Sequence, residues 1–338
     1  MKNNKISVSL ALLIGSNLSF ASNVVLETPG GGTGIDGGVS VTVDGYGSFG
    51  SSTSAGDAFV NPPGSITTAG SVYESSTFLR TADGFSSFLS EGDIGGSGNL
   101  SSVSFDSTST SAATSSFTID GLEFTLSQSV TPRYTGSTIT GSSLVQNYII
   151  ENPSTTSTSF SFTRYIDGDL LFDGTLVDSG GRNGDVLFEF DSGDNPSNPS
   201  TYLGVRSEAS PNKASFVGFE IDSFSGLRSR IIAGTPLDNS VAGDTDGDGR
   251  LDSNYDVTLA LQHDYTLGGS ETTFYTAITD FGYGEFGQDP VADIAAESVS
   301  ESLTSGVFGW DSSYDISFDG DEGEVVVDID IQLVGDDP

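Results

Sequence analysis

Residues 243–256, with the sequence GDTDGDGRLDSNYD, hold the densest set of side chains in the chain that could do chemistry. Its carboxylates alternate or nearly alternate, at Asp244, Asp246, Asp248 and Asp252. Carboxylates spaced in this way present their oxygens to one centre, where they repel one another unless a cation is bound. Gly249 allows the sharp turn that such a loop needs, and calcium takes six to eight oxygen ligands. The stretch therefore predicts a calcium site.

The stretch resembles the calcium loops of EF-hands, dockerins and thrombospondin type 3 repeats. Numbered from Asp244 as position 1, it places Arg250 at position 7, where the resemblance implies that the backbone carbonyl is a ligand. It departs at position 12, where Tyr255 replaces a bidentate acid and Asp256 follows as a substitute ligand. No helix is predicted before the loop, so it is not an EF-hand. A structural calcium ion is the prediction, and a solvated acidic turn is the alternative.

A second set of acids is spread over several predicted strands and includes pairs that share a strand face: Asp167, Asp169, Asp173, Glu189, Asp191, Glu220 and Asp222. If these strands are neighbours, the carboxylates line one rim. They would then form a second cation site or a glycosidase-type pair of acids. A polar sheet face with Asp-Gly turns is the competing interpretation.

His263 is the only histidine, so it cannot build a zinc site of the usual kind. It shares the parity of the inward-facing Leu259 and Leu261, but Asp264 and the turn that follows predict that the strand is leaving the core. We therefore predict a strand-end residue with no catalytic partner.

Strand signals with a period of two run through most of the chain, between turns rich in glycine, serine and threonine. Residues 116–128 read as two strands about the turn signal Asp120-Gly121. Residues 256–267 and 271–282 flank Gly268-Gly269 and are predicted to pair with each other. About a dozen short strands without alternating helices predict an all-β fold, a large antiparallel β-sandwich. A mutarotase-like supersandwich is a variant of the same prediction.

Residues 227–234 read as another short strand. One short helix is predicted at 289–303, where Asp289 and Pro290 suit a helix start. The predicted organisation is a signal peptide over 1–21, a β-sandwich domain over 22–285, and the short helix with a C-terminal β-hairpin over 286–338, packed on the same sandwich or separate from it.

Charge and composition bound the functional class. The chain has 47 acidic and 11 basic residues, a net charge of -36, which disfavours nucleic acid and anionic membranes as partners. After the predicted signal peptide, no apolar stretch is long enough for a transmembrane helix. The chain has no cysteine, so an exported product has no disulfides and depends on its core or on bound metal.

A longer resemblance covers residues 142–283. The segments SLVQNYIIEN, FTRYIDGDLLFDG, DGDGRLD and DVTLALQHDYTLGGSETTFYTAITDFG occur in this order. They resemble a group of secreted bacterial β-sandwich proteins, some of which carry surface-sorting or calcium-repeat tails. The resemblance implies fold and export but no activity.

The leading functional prediction is a secreted or cell-surface bacterial protein, stabilised by calcium, with a structural, adhesive or matrix role. Polysaccharide or other matrix components are the expected partners. The alternative is a polysaccharide-active enzyme, a lyase or glycoside hydrolase, on a β-sandwich. An enzyme needs a concave site where catalytic groups converge, whereas a structural protein does not.

Overall fold

The computed structural model describes residues 22–283, except 64, 66–67, 93–99, 173 and 192–200. Within these residues the chain forms three sheets, whose strand pairs are antiparallel apart from one short parallel pair, and one α-helix. The prediction of an all-β fold with a large antiparallel sandwich is confirmed. Strands are numbered below in chain order.

The largest sheet has eight strands. In order across the sheet they are β12 (Ser179–Asn183), β13 (Val186–Phe190), β14 (Tyr202–Ala209), β18 (Thr272–Gly282), β10 (Thr138–Glu151), β9 (Leu122–Thr135), β8 (Ala112–Ile119) and β7 (Phe105–Thr108). Strands β8 and β9 form the predicted hairpin, and Asp120 and Gly121 both have positive φ, at 50° and 79°. That pair of angles suits a type I′ turn, whose twist matches the flanking strands.

The second large sheet has six strands. Their order is β16 (Ser240–Val241), β15 (Ala214–Ser223), β17 (Val257–Leu267), β11 (Thr158–Asp167), β5 (Glu74–Thr81) and β6 (Ser86–Phe88). The third sheet has four strands, in the order β1 (Asn23–Glu27), β2 (Val39–Asp44), β3 (Ala58–Val60) and β4 (Ala69–Gly70), and a 3₁₀ turn at Gly32–Gly34 lies between β1 and β2.

The predicted pairing of β17 with β18 is wrong, because these consecutive strands lie in different sheets. The Gly268-Gly269 connection crosses between the sheets beside the crossing from β10 to β11. The Asn152 side chain ties the two crossings together by donating hydrogen bonds to the carbonyls of Leu267 (3.2 Å) and Gly268 (3.0 Å). A glycine pair can end a strand both in a hairpin and in a crossing between sheets. The turn signal alone therefore did not show to which sheet the next strand belongs.

The hydrophobic core lies between the two large sheets. Leu144 and Phe281 of the eight-stranded sheet share a core cluster with Ile166 and Leu259 of the six-stranded sheet. An aromatic cluster that includes Tyr148 continues the same layer. Burial of each such side chain contributes roughly 1.5–3 kcal/mol. The alternating residues of each strand thus supply one inward-facing row, as the period of two predicts.

A helix, α1 (Phe224–Ala233), packs on the outer face of the six-stranded sheet, so the prediction of a strand at 227–234 is wrong. Leu227 and Ile231 are one helical turn apart, and both pack near Tyr165. Gly234 ends the helix with φ of 69° in the left-handed region. No helix within the described part of the chain is both long and apolar enough to span a membrane.

Three predictions fall outside the described residues: the signal peptide at 1–21, the helix at 289–303, and the C-terminal unit at 286–338 with its hairpin.

Candidate cation sites

The predicted calcium loop, residues 244–252, connects β16 to β17 and lies against the edge strand β12. The Leu251 N–H donates to the Gly180 carbonyl at 2.9 Å, and the Arg182 N–H donates to the Gly249 carbonyl at 2.8 Å. The Leu251 side chain is buried in the main core. We call residues 244–252 the exposed loop. These backbone contacts fix the C-terminal half of the loop to β12.

Three carboxylates of the exposed loop converge. One oxygen each from Asp244, Asp246 and Asp252 lie within 4.8 Å of one another. Calcium–oxygen bonds are about 2.3–2.6 Å long, so oxygens around one ion are at most about 5 Å apart. The three oxygens therefore fit around a single calcium ion. Asp248, also predicted as a ligand, is not part of this group.

In the exposed loop, backbone N–H groups donate hydrogen bonds to several of the carboxylates. Asp244 accepts from Gly247 N at 2.7 Å and Gly249 N at 3.0 Å through its two oxygens. Asp248 accepts the Arg250 N–H at 2.8 Å, and the predicted role of the Arg250 carbonyl stays a prediction. Gly249 has φ of 85°, a conformation that glycine adopts without strain.

Asp252 closes the exposed loop. It accepts a hydrogen bond from the Thr245 N–H at 2.7 Å and another from the Thr245 hydroxyl. These two bonds favour the charged carboxylate and lower the pKa of Asp252. The loop therefore favours the charged form of Asp252, the form that can bind a cation.

A second group of acids lies at the junction of the two large sheets. One oxygen each from Asp167 at the end of β11, Asp169 just beyond it, and Asp256 just before β17 lie within 4.8 Å of one another. The Glu189 carboxylate comes from β13 in the opposite sheet and lies against Gly168, outside this group of three. We call these four residues the buried cluster. Asp256, predicted as a ligand of the exposed loop, is grouped here instead.

Burial distinguishes this second group. Asp167 is 2% exposed and Glu189 is 0% exposed, while Asp169 is half-buried and Asp256 is exposed. Neither oxygen of Glu189 has a hydrogen-bond donor within the described residues, and Oδ1 of Asp167 has none either. The Glu189 carboxylate lies directly on Gly168, so that a Cβ at position 168 would overlap it. Only glycine at position 168 leaves room for the carboxylate there.

The electrostatics of the buried cluster are unfavourable for charge. Burial, followed by the charges of Asp256 and Asp169, raises the pKa of Asp167 to about 9. Burial likewise raises the pKa of Asp169 to about 6. The pKa of Glu189 is raised well above its usual range by burial and then by Asp178 and the other acids. Without a bound cation Asp167 and Glu189 retain protons at neutral pH.

Basic residues give this region little compensation. Arg228 lowers the pKa of Asp167, but its Nε is bound to Glu74 at 3.1 Å. Glu74 is itself buried and faces Asp167 across β5 and β11. The neighbouring ion pair therefore brings its own negative charge.

The remaining acids of the predicted second site do not converge with these. Glu220 is paired with Arg230 at 3.1 Å and accepts the Asp238 N–H. Asp222 accepts the Ser223 N–H at the start of α1. Asp191 accepts a hydrogen bond from Thr201 at 3.3 Å. Asp173 lies outside the described residues.

His263 is buried in the middle of β17, so the prediction that it ends its strand is wrong. Its ring packs against Phe216 at 5.3 Å and Tyr275 at 5.8 Å, measured between ring centroids. Burial lowers its pKa to about 4, so the imidazole is neutral at physiological pH. A cavity of about 300 Å³ adjoins it, lined by Arg182, Asp185, Ser207, Phe216, Leu261 and His263.

Sequence reasoning missed the meeting of Asp256 with Asp167. The β11–β17 register pairs Asp167 with Thr258, which brings residue 256 to the end of β11. No local pattern encodes this pairing, because β12 to β16 and α1 lie between the two residues in the sequence. Asp178 was also unassigned, although it is fully buried and raises the pKa of Glu189.

No protein-family model matches this chain, and no curated protein matches it. One similar solved structure is titled "Putative kojibiose phosphorylase from human microbiome" and shares 9% sequence identity, with a TM-score of 0.30. The match covers 67% of this chain but only 23% of that protein. A similarity this weak says nothing about activity.

Proposed function

We propose that this chain is an exported, calcium-stabilised β-sandwich protein with a structural, adhesive or matrix role at the bacterial cell surface. The observation that carries the proposal is the convergence of Asp244, Asp246 and Asp252 within 4.8 Å on a loop fixed to an edge strand. Calcium is the proposed ion because every side-chain ligand is a carboxylate oxygen. Export and surface location rest on the predicted signal peptide and the resemblance over residues 142–283.

A bound ion stabilises the fold where the core contributes least. The exposed loop places a single apolar side chain, Leu251, in the core. It also covers β12, which is an edge of the eight-stranded sheet, and covered edges resist pairing with other chains. Calcium bound only by the native state stabilises it by mass action, by about 2.7 kcal/mol at a hundredfold excess over Kd.

The adhesive part of the proposal is supported by an open groove beside the exposed loop. The groove has a volume of about 550 Å³ and is lined by Arg182, Gly184, Phe219, Asn239, Ser240, Val241, Asp244, Gly247, Asp248 and Gly249. Its donors and acceptors suit a polar ligand such as the hydroxyl groups of a polysaccharide. A calcium ion on Asp244 would lie at its wall and change its charge.

The test is thermal unfolding with calcium and with chelator. We expect calcium to raise Tm. In the variant with Asp246→Ala and Asp248→Ala, we expect a smaller rise in Tm and one fewer calcium ion bound per chain. Asp83→Ala, which removes an exposed acid from the turn after β5, is the matched control and should respond to calcium as wild type does. A Tm unaffected by chelator, or a calcium response unchanged in the loop variant, would contradict the proposal.

A second candidate function is a polysaccharide-active enzyme, favoured by the raised pKa of Asp167, which would suit a proton donor. The full burial of Glu189 argues against it, because a catalytic carboxyl must reach the glycosidic oxygen. A panel of alginate, ulvan, laminarin, agar and pectin tests for new reducing ends and unsaturated products. Turnover lost in His263→Ala would favour a lyase. Turnover that survives it but is lost in Glu189→Gln or Glu220→Gln would favour a glycosidase.

A further inference from the structure

We propose that the cavity beside His263 binds one neutral sugar ring, either free or at the end of a polysaccharide chain. The site would serve the adhesive part of the proposed function, on which this inference rests, and it would not need the calcium ion of the exposed loop.

Both large sheets supply side chains to the cavity. Phe216 and His263 come from β15 and β17 of the six-stranded sheet, and Ser207 comes from β14 of the eight-stranded sheet. The edge strand β12 supplies Arg182, and the turn after β12 supplies Asp185. A volume of about 300 Å³ is at the lower end of the range for small-molecule sites, so the cavity suits a single ring rather than a long chain.

A β-bulge in β15 leaves one aromatic ring uncovered at the cavity. The pairing of β15 with β17 is irregular between Phe216 and Gly218, and Phe216 pairs with His263 while Phe219 pairs with Leu261. His263 and Leu261 are two residues apart on one strand, so their partners share a face of the sheet although they are three residues apart. Phe219 is 7% exposed, whereas Phe216 is 53% exposed.

The His263 ring lines the cavity and has unused hydrogen-bonding capacity. It is 6% exposed, and its Nδ1 is buried without a hydrogen-bond partner in the part of the chain that the structure describes. The buried imidazole is neutral, and no hydrogen bond at Nδ1 selects one tautomer. The ring can therefore offer a ligand either a donor or an acceptor, and a hydroxyl group pairs with both.

Polar groups on the solvent side of the cavity complete the match. The charged atoms of Arg182 and Asp185 are 4.0 Å apart, too far for a hydrogen bond, so both side chains keep hydrogen-bonding capacity for a ligand. The Arg182 guanidinium is positioned over the Phe219 ring, 4.1 Å from its centroid. A sugar ring has an apolar face of C–H groups and a rim of hydroxyls that donate and accept. One open aromatic ring with mixed polar groups fits that chemistry.

Charge favours a neutral sugar over an acidic one. Arg182 is the only base among the described residues that line the cavity, and Asp185 offsets its charge. The chain as a whole carries a net charge of -36, which repels polyanions. A chain of uronic acids would therefore be disfavoured.

The cavity adjoins the groove beside the exposed loop, because Arg182 lines both. A polysaccharide whose last sugar occupies the cavity would continue into the groove, past Asn239 and Asp248. The cavity would then recognise the end of the chain, and the groove would hold the sugars that follow. A longer oligosaccharide should therefore bind more tightly than a single sugar.

The experiment uses the imidazole signals of His263 in NMR spectra of the full chain labelled with nitrogen-15. His263 is the only histidine, so these signals report on the cavity without any substitution. The probes are glucose, galactose and mannose and one neutral tetrasaccharide of each. We expect at least one of the sugars to shift the signals in a saturable way, and its tetrasaccharide to bind more tightly. If none of the probes shifts them, the proposal is wrong.

Substitution of the open aromatic ring tests the mode of binding. Phe216→Ala should weaken binding of that sugar by at least about fivefold, since truncation of an aromatic anchor usually costs more than about 1 kcal/mol. Phe59→Ala, which removes an exposed phenylalanine from β3, is the matched control and should leave the affinity unchanged. Equal affinity in Phe216→Ala and the wild type would overturn the proposal. Tighter binding of a uronic acid tetrasaccharide than of the neutral one would overturn the assignment to a neutral sugar.

The variant with Asp246→Ala and Asp248→Ala separates this inference from the calcium proposal. Neither residue is part of the cavity lining, so the single sugar should shift His263 with unchanged affinity. Sugar binding together with a Tm that chelator does not alter would contradict the calcium site and support the cavity. A Tm that depends on calcium, with no sugar response at His263, would do the reverse.

Discussion

The exposed loop and the buried cluster use the same side chains and treat their charge in opposite ways. In the exposed loop, carboxylates accept backbone N–H groups from their own loop, as Asp244 does from Gly247 and Gly249. In the buried cluster, Glu189 accepts no hydrogen bond from the described residues. The first arrangement forms its geometry without an ion, whereas the second is electrostatically incomplete without a cation or protons. Carboxylates are thus hardest to ionise where the protein supplies the fewest hydrogen-bond donors.

The largest expected effect comes from filling the space that the Glu189 carboxylate occupies. In Gly168→Ala the new Cβ overlaps that carboxylate, which is fully buried, so we expect destabilisation of about 4 kcal/mol or loss of folding. Urea denaturation measures it. Gly34→Ala is the control, since no atom lies within 4 Å of its added Cβ.

A double-mutant cycle identifies the cause of that destabilisation. Glu189→Ala removes the overlapping group, so Gly168→Ala should cost much less in its background. Equal costs in both backgrounds would show that the glycine is needed for another reason.

The next effect is the pH dependence of the calcium-free protein. The folded state holds the proton on Asp167 up to about pH 9, whereas the unfolded chain releases it near pH 4. The native state therefore binds more protons in between, and stability falls as pH rises, by up to about 4 kcal/mol per proton from pH 5 to pH 8. Urea denaturation in chelator at several pH values measures the slope.

Asp167→Asn is the control for this slope and should flatten it. Asp252 in the exposed loop has the opposite sign, since its lowered pKa makes its contribution disappear as pH falls through the acid range. If the calcium-free protein became more stable from pH 5 to pH 8, the prediction that the proton on Asp167 stabilises the folded state would be wrong.

The smallest effect is expected in the exposed loop. Thr245→Val removes the hydroxyl bond to Asp252 and keeps the backbone bond, so we expect a loss of about 0.5–1 kcal/mol in chelator. Thr245→Ser keeps the hydroxyl and should retain most of the stability. Thermal unfolding of the two variants measures the difference. A loss of stability as large as that of Gly168→Ala would contradict the prediction that the carboxylates of the loop are already well hydrogen-bonded.

The two regions also differ in how far sequence predicts them. The exposed loop is contiguous, so the spacing of its acids placed Asp244, Asp246 and Asp252 among the predicted ligands, although it also included Asp248 and Asp256, which lie outside the convergent group. The buried cluster joins residues 167, 189 and 256, and its formation depends on which strands pair and which sheets face each other. For the same reason the strand pattern of 256–282 was predicted while its sheet assignment was not.

The other two errors arose because a local sequence pattern was compatible with more than one structure. Leu227 and Ile231 have helical spacing and Gly234 is a helix stop, but the segment is short enough to read as a strand as well. His263 looked like a strand end because Asp264 is polar, yet Asp264 simply points outward while β17 continues to Leu267.

The position of β18 sets the order in which the sandwich can assemble. It is the last strand that the structure describes, yet it lies inside the eight-stranded sheet, paired with β14 on one side and β10 on the other. Until residues 272–282 arrive, that sheet consists of two fragments, each with an open edge. Closure by pairing with strands made much earlier is slow, because distant segments must meet. The interval before β18 inserts is therefore when a nascent or refolding chain is most exposed to aggregation through its unpaired β10 and β14 edges.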